Sequence, residues 1–99
     1  SKLIDVISVT NLSENPFVSR ELALIKVSAT PSQLAELNGI VEPFRATIVD
    51  VGPTSLIVQV TGDTEKIDAL LVLLQNYGVV ELTRTGTLAM ARSVVPATV

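Results

Sequence analysis

The sequence predicts an α+β fold: a ferredoxin-like βαββαβ sandwich in which two helices pack on one face of a four-stranded antiparallel sheet. Two observations support this class. From Arg20 onward, the period of the apolar residues alternates between two and about 3.6, in the order β-α-β-β-α-β. Hydrophobic residues make up 47% of the 99 residues but only three residues are aromatic, and such an aliphatic set suits strands packed on short helices.

The first half of the predicted domain is a strand followed by a helix. The strand runs from Arg20 to Ala29, and because both of its alternating faces are apolar we expect it to be central and buried on both sides. Thr30 and Gln33 form a capping box at the start of the helix, with a proline at its first position. The helix should stop before Pro43, because the residue preceding a proline is pushed out of helical geometry.

A hairpin and a second helix follow. Strands are predicted from Phe44 to Val51 and from Leu56 to Thr61, and the Gly52-Pro53-Thr54 turn between them makes the pair antiparallel. Asp63 is a natural N-cap for the second helix, and Gly78 ends that helix as a glycine just past its last turn.

The last strand of the fold is interrupted. Val79 to Thr83 and Thr87 to Arg92 are either two strands or one bent strand, with a bulge or bend at Thr85-Gly86. An extra strand is predicted at Lys2 to Thr10, ahead of a turn-rich stretch. The chain therefore divides into a terminal strand with its linker (residues 1–13), a ferredoxin-like domain (residues 14–93) and a flexible tail (residues 94–99).

Composition excludes several classes of function. The net charge is −3 and there is no basic run, which argues against nucleic-acid binding. No apolar stretch reaches membrane-spanning length and there is no signal-peptide pattern, so we expect a cytoplasmic protein without membrane contact. Without cysteine or histidine, thiolate metal sites and imidazole catalysis are both excluded.

A few polar positions invite a functional interpretation. Asp50 is predicted to share an apolar face with Ile48, so it is either a functional carboxylate or a cap for the turn that follows. Arg20 and Glu21 open the central strand, where they pair with a partner subunit, pair with Arg84 or Glu81 across the sheet, or form a solvated surface.

The acidic residues of the second helix predict no metal site. Asp63, Glu65 and Asp68 are spread around that helix, which favours a cap and a solvated face over a metal cage. No nucleophile triad, phosphate loop or dinucleotide fingerprint occurs, so we expect no catalytic, metal-binding or cofactor-binding residue in this chain.

Four segments resemble the small regulatory subunit of acetolactate synthase (acetohydroxyacid synthase). Their order and spacing match that family over nearly the whole chain. The matching segments are RELALIKV at Arg20–Val27, FRATIVDV at Phe44–Val51, the stretch around VTGD at Val60–Asp63, and RTGTLAMAR at Arg84–Arg92.

The resemblance implies a place within that subunit. Lys2 to Leu12 is similar to the last strand of the amino-acid-binding ACT domain, and Phe17 to Arg92 is similar to the C-terminal domain that follows it. The branched-chain amino acid effector would bind in the earlier part of the ACT domain, so no effector-binding residue is carried over. Family members have a lysine where Thr47 stands.

The resemblance also implies a function and partners. The chain would be a non-catalytic regulatory piece that couples an effector-bound ACT dimer to a catalytic subunit, and it would form homo-oligomers. Thiamine diphosphate, Mg²⁺ and FAD would belong to the catalytic subunit, and a plant or algal source would place the chain in plastids. The candidate subunit-interface residues are the polar members of the matched apolar segments: Arg20, Glu21, Arg45, Asp50 and Arg84.

The alternative is a stand-alone ACT-like module that binds a small molecule or dimerises, unconnected to that enzyme. This alternative rests on the fold alone, since ferredoxin-like sheets serve many functions.

Overall fold

The structure, a computed structural model, describes residues 17–93. The predicted strand at Lys2 to Thr10 and the predicted tail at residues 94–99 lie outside the described residues. The described elements are five strands and two α-helices: β1 (Phe17–Ser28), α1 (Leu34–Val41), β2 (Thr47–Val51), β3 (Ser55–Gly62), α2 (Thr64–Leu74), β4 (Val79–Arg84) and β5 (Leu88–Ala91).

The sheet has the predicted ferredoxin-like topology. Its strands are antiparallel in the order β2-β3-β1-β4, with β1 in the centre. In register, Ile25 lies between Val58 of β3 and Leu82 of β4. The predicted fold class is therefore confirmed.

The predicted interruption of the last strand is a bulge. β5 pairs with the first four residues of β1, from Phe17 opposite Ala91 to Arg20 opposite Leu88. Arg20 and Ala23 are three residues apart on β1, whereas their partners Leu88 and Arg84 are four apart (23 − 20 = 3; 88 − 84 = 4). One extra residue therefore separates β4 from β5 along the same edge of β1, as a bulge requires.

We call the two-stranded extension formed by Phe17–Arg20 and Leu88–Ala91 the arm. β3 pairs with β1 only from Glu21 onward, so within the described part of the chain the arm has two strands where the rest of the sheet has four. A two-stranded ribbon has little stability alone, so the arm depends on its attachment to the sheet.

The core lies between one face of the sheet and the two helices. Leu37 and Val41 of α1 and Ile67, Leu70 and Leu74 of α2 are buried against alternate residues of the central strands. The sheet side of this core is fully aliphatic: Ala23, Ile25, Val27, Leu56, Val58 and Val60.

The prediction that β1 is buried on both faces is wrong for one of them. Leu24 keeps 39% of its surface exposed, whereas Ile25 next to it has none. Both helices pack on the face of Ile25, and among residues 17–93 no element covers the face of Leu24.

The strand predicted to start at Phe44 starts at Thr47. Phe44 closes a 3₁₀ turn (Glu42–Phe44), and the N–H of Arg45 donates to the Glu42 carbonyl oxygen at 2.8 Å. Arg45 has φ 57°, in the left-handed region, so the chain turns before it can extend. The apolar pattern is typical of a strand but carries no signal of that turn.

The predicted capping residues of both helices are confirmed, but the predicted reason for the end of α1 is wrong. The Gln33 side chain accepts a hydrogen bond from the Thr30 N–H at 3.0 Å. α1 ends at Val41, yet Glu42 keeps right-handed helical angles (φ −59°, ψ −43°) and the chain continues into the 3₁₀ turn that contains Pro43, so the residue before the proline does not leave helical geometry. Asp63 accepts a hydrogen bond from the Lys66 N–H at 2.8 Å. Gly78 follows α2 at φ 93°, a conformation that glycine adopts without strain.

Candidate functional site

An ion pair with a buried carboxylate joins the first and the last of the four segments that resemble the family. Glu21, near the start of β1, is only 4% exposed, and the guanidinium of Arg84 at the end of β4 binds it through two hydrogen bonds. The Arg84 Nε lies 2.9 Å from Glu21 Oε2, and the Arg84 Nη2 lies 2.7 Å from Glu21 Oε1. This forked geometry is the strongest form of carboxylate–arginine contact.

Further polar groups surround the pair and tie it to α2. The third nitrogen of the Arg84 guanidinium, Nη1, donates to Asp68 Oδ1 at 2.8 Å. The Thr64 hydroxyl at the start of α2 donates to Glu21 Oε1 at 3.3 Å and lies 3.3 Å from the Thr87 hydroxyl. We call Glu21, Thr64, Asp68, Arg84 and Thr87 the polar cluster.

The electrostatics of the polar cluster favour the fully charged state. The hydrogen bonds from Arg84 lower the pKa of the Glu21 carboxyl below its ordinary value of 4.5, more than burial raises it. The hydrogen bonds to Glu21 and Asp68 raise the pKa of the Arg84 guanidinium. Both groups therefore stay ionised near neutral pH.

Hydrogen bonds next to the polar cluster hold the step between β4 and β5. Thr85 and Leu22 are joined by two hydrogen bonds, one between backbone groups and one from the Leu22 N–H to the Thr85 hydroxyl, each 3.0 Å long. Gly86 follows at φ 78°. The arm thus leaves the sheet from a point where backbone and side chains are both fixed.

The five predicted interface residues do not form one site. Glu21 and Arg84 bind each other, and for Glu21 the predicted solvated surface is wrong, because its carboxylate is buried by its pairing with Arg84. Arg20 is exposed on the arm. Arg45 and Asp50 are exposed at the β2 edge, and β3 separates that edge from β1.

Asp50 does not share a face with Ile48, as its spacing in the sequence predicted. Ile48 pairs with Val58, which is buried, whereas Asp50 pairs with Ile57 on the opposite face of β3. A bulge at Val49 causes the change, because one extra residue reverses the alternation of side chains. The carboxylate therefore lies outside the core.

Sequence reasoning missed part of the polar cluster. Asp68 was predicted to be a solvated carboxylate, and Thr64 and Thr87 were not singled out. Thr64 and Asp68 are four residues apart and so lie on one face of α2. Their spacing places both side chains on the same side of α2, but it indicates a shared contact only when the structure shows that Glu21 and Arg84 lie beside that side of the helix.

The polar cluster is suited to holding elements together rather than to chemistry. Both oxygens of Glu21 and all three guanidinium nitrogens of Arg84 are engaged. In residues 17–93 no three acidic side chains lie close enough together to hold a metal ion. The side chains of the polar cluster link β1 and β4 to the start of α2 and to the residue that precedes β5.

Comparison with known proteins decides the family. Residues 20–93 match the family model described as the small subunit of acetolactate synthase. The chain belongs to the acetolactate synthase small-subunit family. The resemblance stated from the four segments is thereby confirmed, and the polar cluster lies wholly within the matched residues.

Individual relatives agree with this family. The chain is 55% identical over 92 residues to the acetolactate synthase small subunit of Bacillus subtilis, covering 93% of this chain and 54% of the relative. It is 47% identical over 92 residues to the chloroplastic small subunit 2 of Arabidopsis thaliana, covering 93% of this chain and 19% of that protein.

A solved structure supports the fold. The crystal structure of the acetolactate synthase small subunit from Thermotoga maritima matches 85% of this chain and 51% of its own chain, with a TM-score of 0.72 at 42% identity. The chain thus spans about half the length of the bacterial relatives it matches. Neither helix in the described part of the chain has the length and hydropathy that crossing a membrane requires.

Proposed function

We propose that this chain is the C-terminal, non-catalytic coupling domain of an acetolactate synthase regulatory subunit. The family match over residues 20–93 is the observation that supports this function. The chemistry of the polar cluster agrees with it, because every strong polar group there is used to join elements of the fold.

The proposed partner is the catalytic subunit of acetolactate synthase. Thiamine diphosphate, Mg²⁺ and FAD would bind to that subunit, and the effector amino acid would bind to an ACT domain. The compartment would be that of the catalytic subunit: the cytoplasm, or plastids in a plant or alga, where relatives are named chloroplastic.

Coupling requires a body that moves as a unit between two binding partners. The polar cluster makes the start of β1, the arm and α2 such a unit, since displacing any one of them breaks charge-assisted hydrogen bonds around Glu21. An effector bound elsewhere in the regulatory chain would then shift the domain against the catalytic subunit. Coupling free energies between such sites are typically about 1–3 kcal/mol.

Reconstitution tests the proposal. The 99-residue chain is mixed with a purified acetolactate synthase catalytic subunit, with and without a separately made ACT domain and with and without valine. We expect a complex by size-exclusion chromatography, and valine-sensitive acetolactate formation when the ACT domain is present. No complex and no change in activity in any mixture would overturn the proposed function.

The exposed interface candidates are tested in the same assay. Arg45→Ala and Asp50→Asn remove charges at the β2 edge without touching the core, and Arg92→Ala is the matched exposed control. We expect Arg45→Ala and Asp50→Asn, but not Arg92→Ala, to weaken the complex. If all three variants bind and respond to valine like the parent chain, the β2 edge is not the interface with the catalytic subunit.

The stand-alone ligand-binding module is not favoured by the comparisons, whose matches are small subunits of acetolactate synthase. A thermal-shift screen with branched-chain amino acids distinguishes the two functions, because a ligand that binds the folded chain raises its melting temperature. We expect no amino acid to stabilise this chain by itself.

A further inference from the structure

The outer edge of β4 is a free strand edge within the described part of the chain. β4 is the last strand in the order β2-β3-β1-β4, and among residues 17–93 no strand pairs with its outer side. β5 pairs with β1 further along the same strand and does not lie beside β4. A free edge offers unpaired backbone groups to another extended chain.

The register between β1 and β4 shows which backbone groups point outward. The Thr85 N–H donates to the Leu22 carbonyl oxygen at 3.0 Å, so these two residues form a hydrogen-bonded position of the ladder. In an antiparallel pair such positions alternate with positions whose N–H and C=O groups point away from the partner strand. The outward positions are therefore Arg84 and Leu82, one and three residues before Thr85.

Exposed aliphatic side chains lie beside this edge on the helix side. α2 runs opposite to β4, which follows it after a short turn, and Asp68 of α2 binds Arg84 of β4. One helical turn beyond Asp68, about 6 Å, is Val72, and two residues back from Arg84, about 6.6 Å, is Leu82. Val72 and Leu82 are therefore at the same level, and they are 69% and 42% exposed.

The charges beside the edge are mainly negative. The side chains of Asp68 and Glu81 are 56% and 66% exposed, and Glu65 is exposed three residues before Asp68 on α2. The cations nearby are already paired: the Arg84 guanidinium is engaged within the polar cluster, and Lys26 binds Glu81 at 3.3 Å. The carboxylates outnumber the cations, so the edge favours a positively charged partner.

We propose that the outer edge of β4 binds an extended segment of a partner protein in which aliphatic and basic side chains alternate. The segment would add to the sheet as a further strand, with its backbone paired to Leu82 and Arg84. Its aliphatic side chains cover Val72 and Leu82 on the helix side, and its basic side chains meet Glu81 on the other side. This partner is additional to the contact proposed at the β2 edge, and the proposed function does not depend on it.

A second copy of this chain fits the same edge less well. It would bring a second set of the carboxylates of Glu65, Asp68 and Glu81 to an edge whose cations are already paired. Antiparallel pairing of two β4 strands about Leu82 would also place the two Glu81 side chains in diagonal positions on one face, where like charges repel. A basic segment has neither disadvantage.

Two synthetic peptides test the edge and its charge preference. One alternates lysine with valine and the other alternates glutamate with valine, and each is titrated into the isotope-labelled 99-residue chain while amide NMR shifts are followed. We expect the basic peptide to shift amides of β4 and to bind with a Kd at least about tenfold lower than the acidic peptide. β2, the opposite edge strand, is the internal control. No shift in β4 at about 1 mM basic peptide, or equal shifts in β2, would overturn the proposal.

A charge reversal tests which carboxylate selects the peptide. Glu81→Arg should weaken binding of the basic peptide by about tenfold and strengthen binding of the acidic one. Glu42→Arg makes the same change at an exposed glutamate in the 3₁₀ turn before β2, and we expect it to leave both affinities within about twofold of the parent. Equal effects of the two variants would mean that only the net charge of the chain matters, which would overturn the site.

Two variants of Leu82 test the backbone pairing. Leu82→Pro removes an N–H that points outward, a position on an edge strand where proline is tolerated, and should weaken the basic peptide by about tenfold or more while circular dichroism stays unchanged. Leu82→Lys keeps the N–H but replaces the aliphatic contact with a like charge, and should weaken it similarly. If either variant folds and binds like the parent, the proposed strand addition is wrong.

Hydrogen exchange of the parent chain without peptide completes the test. We expect the Leu82 and Arg84 amides to exchange fast and those of Glu81 and Thr83, which bond to β1, to exchange slowly. Slow exchange at Leu82 and Arg84 would overturn the proposal, because the edge would already be occupied. Protection that rises with protein concentration would identify a second copy as the occupant, and protection independent of concentration would identify another part of the same chain.

Discussion

The two faces of β1 are built from the same kinds of residue and have different environments. On one face Ala23, Ile25 and Val27 are completely buried under the helices. On the other face Leu22 and Leu24 are aliphatic too, but Leu24 stays partly exposed. The comparison teaches that apolar periodicity identifies which side chains point the same way. It does not say whether this chain or another one covers them.

The largest expected difference between the faces is in stability. Ile25→Ala removes a fully buried side chain and leaves a cavity, so we expect it to lower the free energy of unfolding by about 2–5 kcal/mol. Leu24→Ala removes a side chain that is already partly hydrated, so we expect a loss of about 1 kcal/mol or less while the chain is monomeric. Urea denaturation at low micromolar concentration measures both.

Equal losses for the two variants would contradict the comparison. They would mean that the face of β1 opposite the helices is packed as tightly as the core even in the monomer. A rise in the Leu24→Ala loss with protein concentration would instead agree with self-association, because a dimer stabilises its folded chains in proportion to its population.

Much of the fold could be predicted from the sequence because its signals are local. The capping box at Thr30, the N-cap at Asp63 and the alternating aliphatic residues of β3 each act within a few residues, and the structure bears all of them out. The kink at Thr85-Gly86 also has a local cause, since Gly86 adopts a positive φ that other residues avoid.

The site was harder to predict because its determinants are non-local. Glu21 and Arg84 are 63 residues apart, and only the register of β1 and β4 brings them together. The bulge at Val49 moved Asp50 to the other face, and nothing in the alternating pattern of β2 marks a bulge in advance. The polar cluster therefore became visible only with the topology.

The polar cluster gives the second comparison, between a buried and an exposed glutamate. Glu21→Gln keeps the size of the side chain but removes the buried negative charge that Arg84 binds through two hydrogen bonds, so that Arg84 keeps only its contact with the half-exposed carboxylate of Asp68. We expect the Tm at pH 7 to fall by at least about 5 °C. Glu81→Gln breaks the exposed pair with Lys26 and should change the Tm little, because surface ion pairs stabilise weakly.

The pH dependence of stability sharpens this comparison. The folded-state pKa of Glu21 is lowered, so its stabilising contribution is fully present above its ordinary pKa of 4.5 and is lost as the pH falls through the lowered value. Melting curves between pH 7 and pH 3 should therefore show a steep acid loss of Tm in the parent and a shallower one in Glu21→Gln. Parallel curves would show that Glu21 titrates alike in the folded and unfolded chain.

Two glycine substitutions should change stability less than Ile25→Ala or Glu21→Gln, and their effects should have opposite signs. Gly86 connects β4 to the arm at φ 78°, and an added Cβ there meets no atom within 4 Å, so Gly86→Ala strains only the backbone. We expect a loss of about 1 kcal/mol. Gly39 lies inside α1 and also has open space around it, so Gly39→Ala should stabilise by about 0.5–1 kcal/mol.

Measuring dimerisation of the two glycine variants alongside their unfolding separates the arm from the core. If Gly86→Ala weakens self-association of the chain while Gly39→Ala leaves it unchanged, the arm contributes to the contact between copies, because both variants add one methyl group and differ only in its position. If Gly86→Ala unfolds at the same urea concentration as the parent and dimerises equally well, the β4–β5 step adapts to the new residue. The arm would then be held by the hydrogen bonds of Thr85 and Thr87 rather than by the conformation of Gly86.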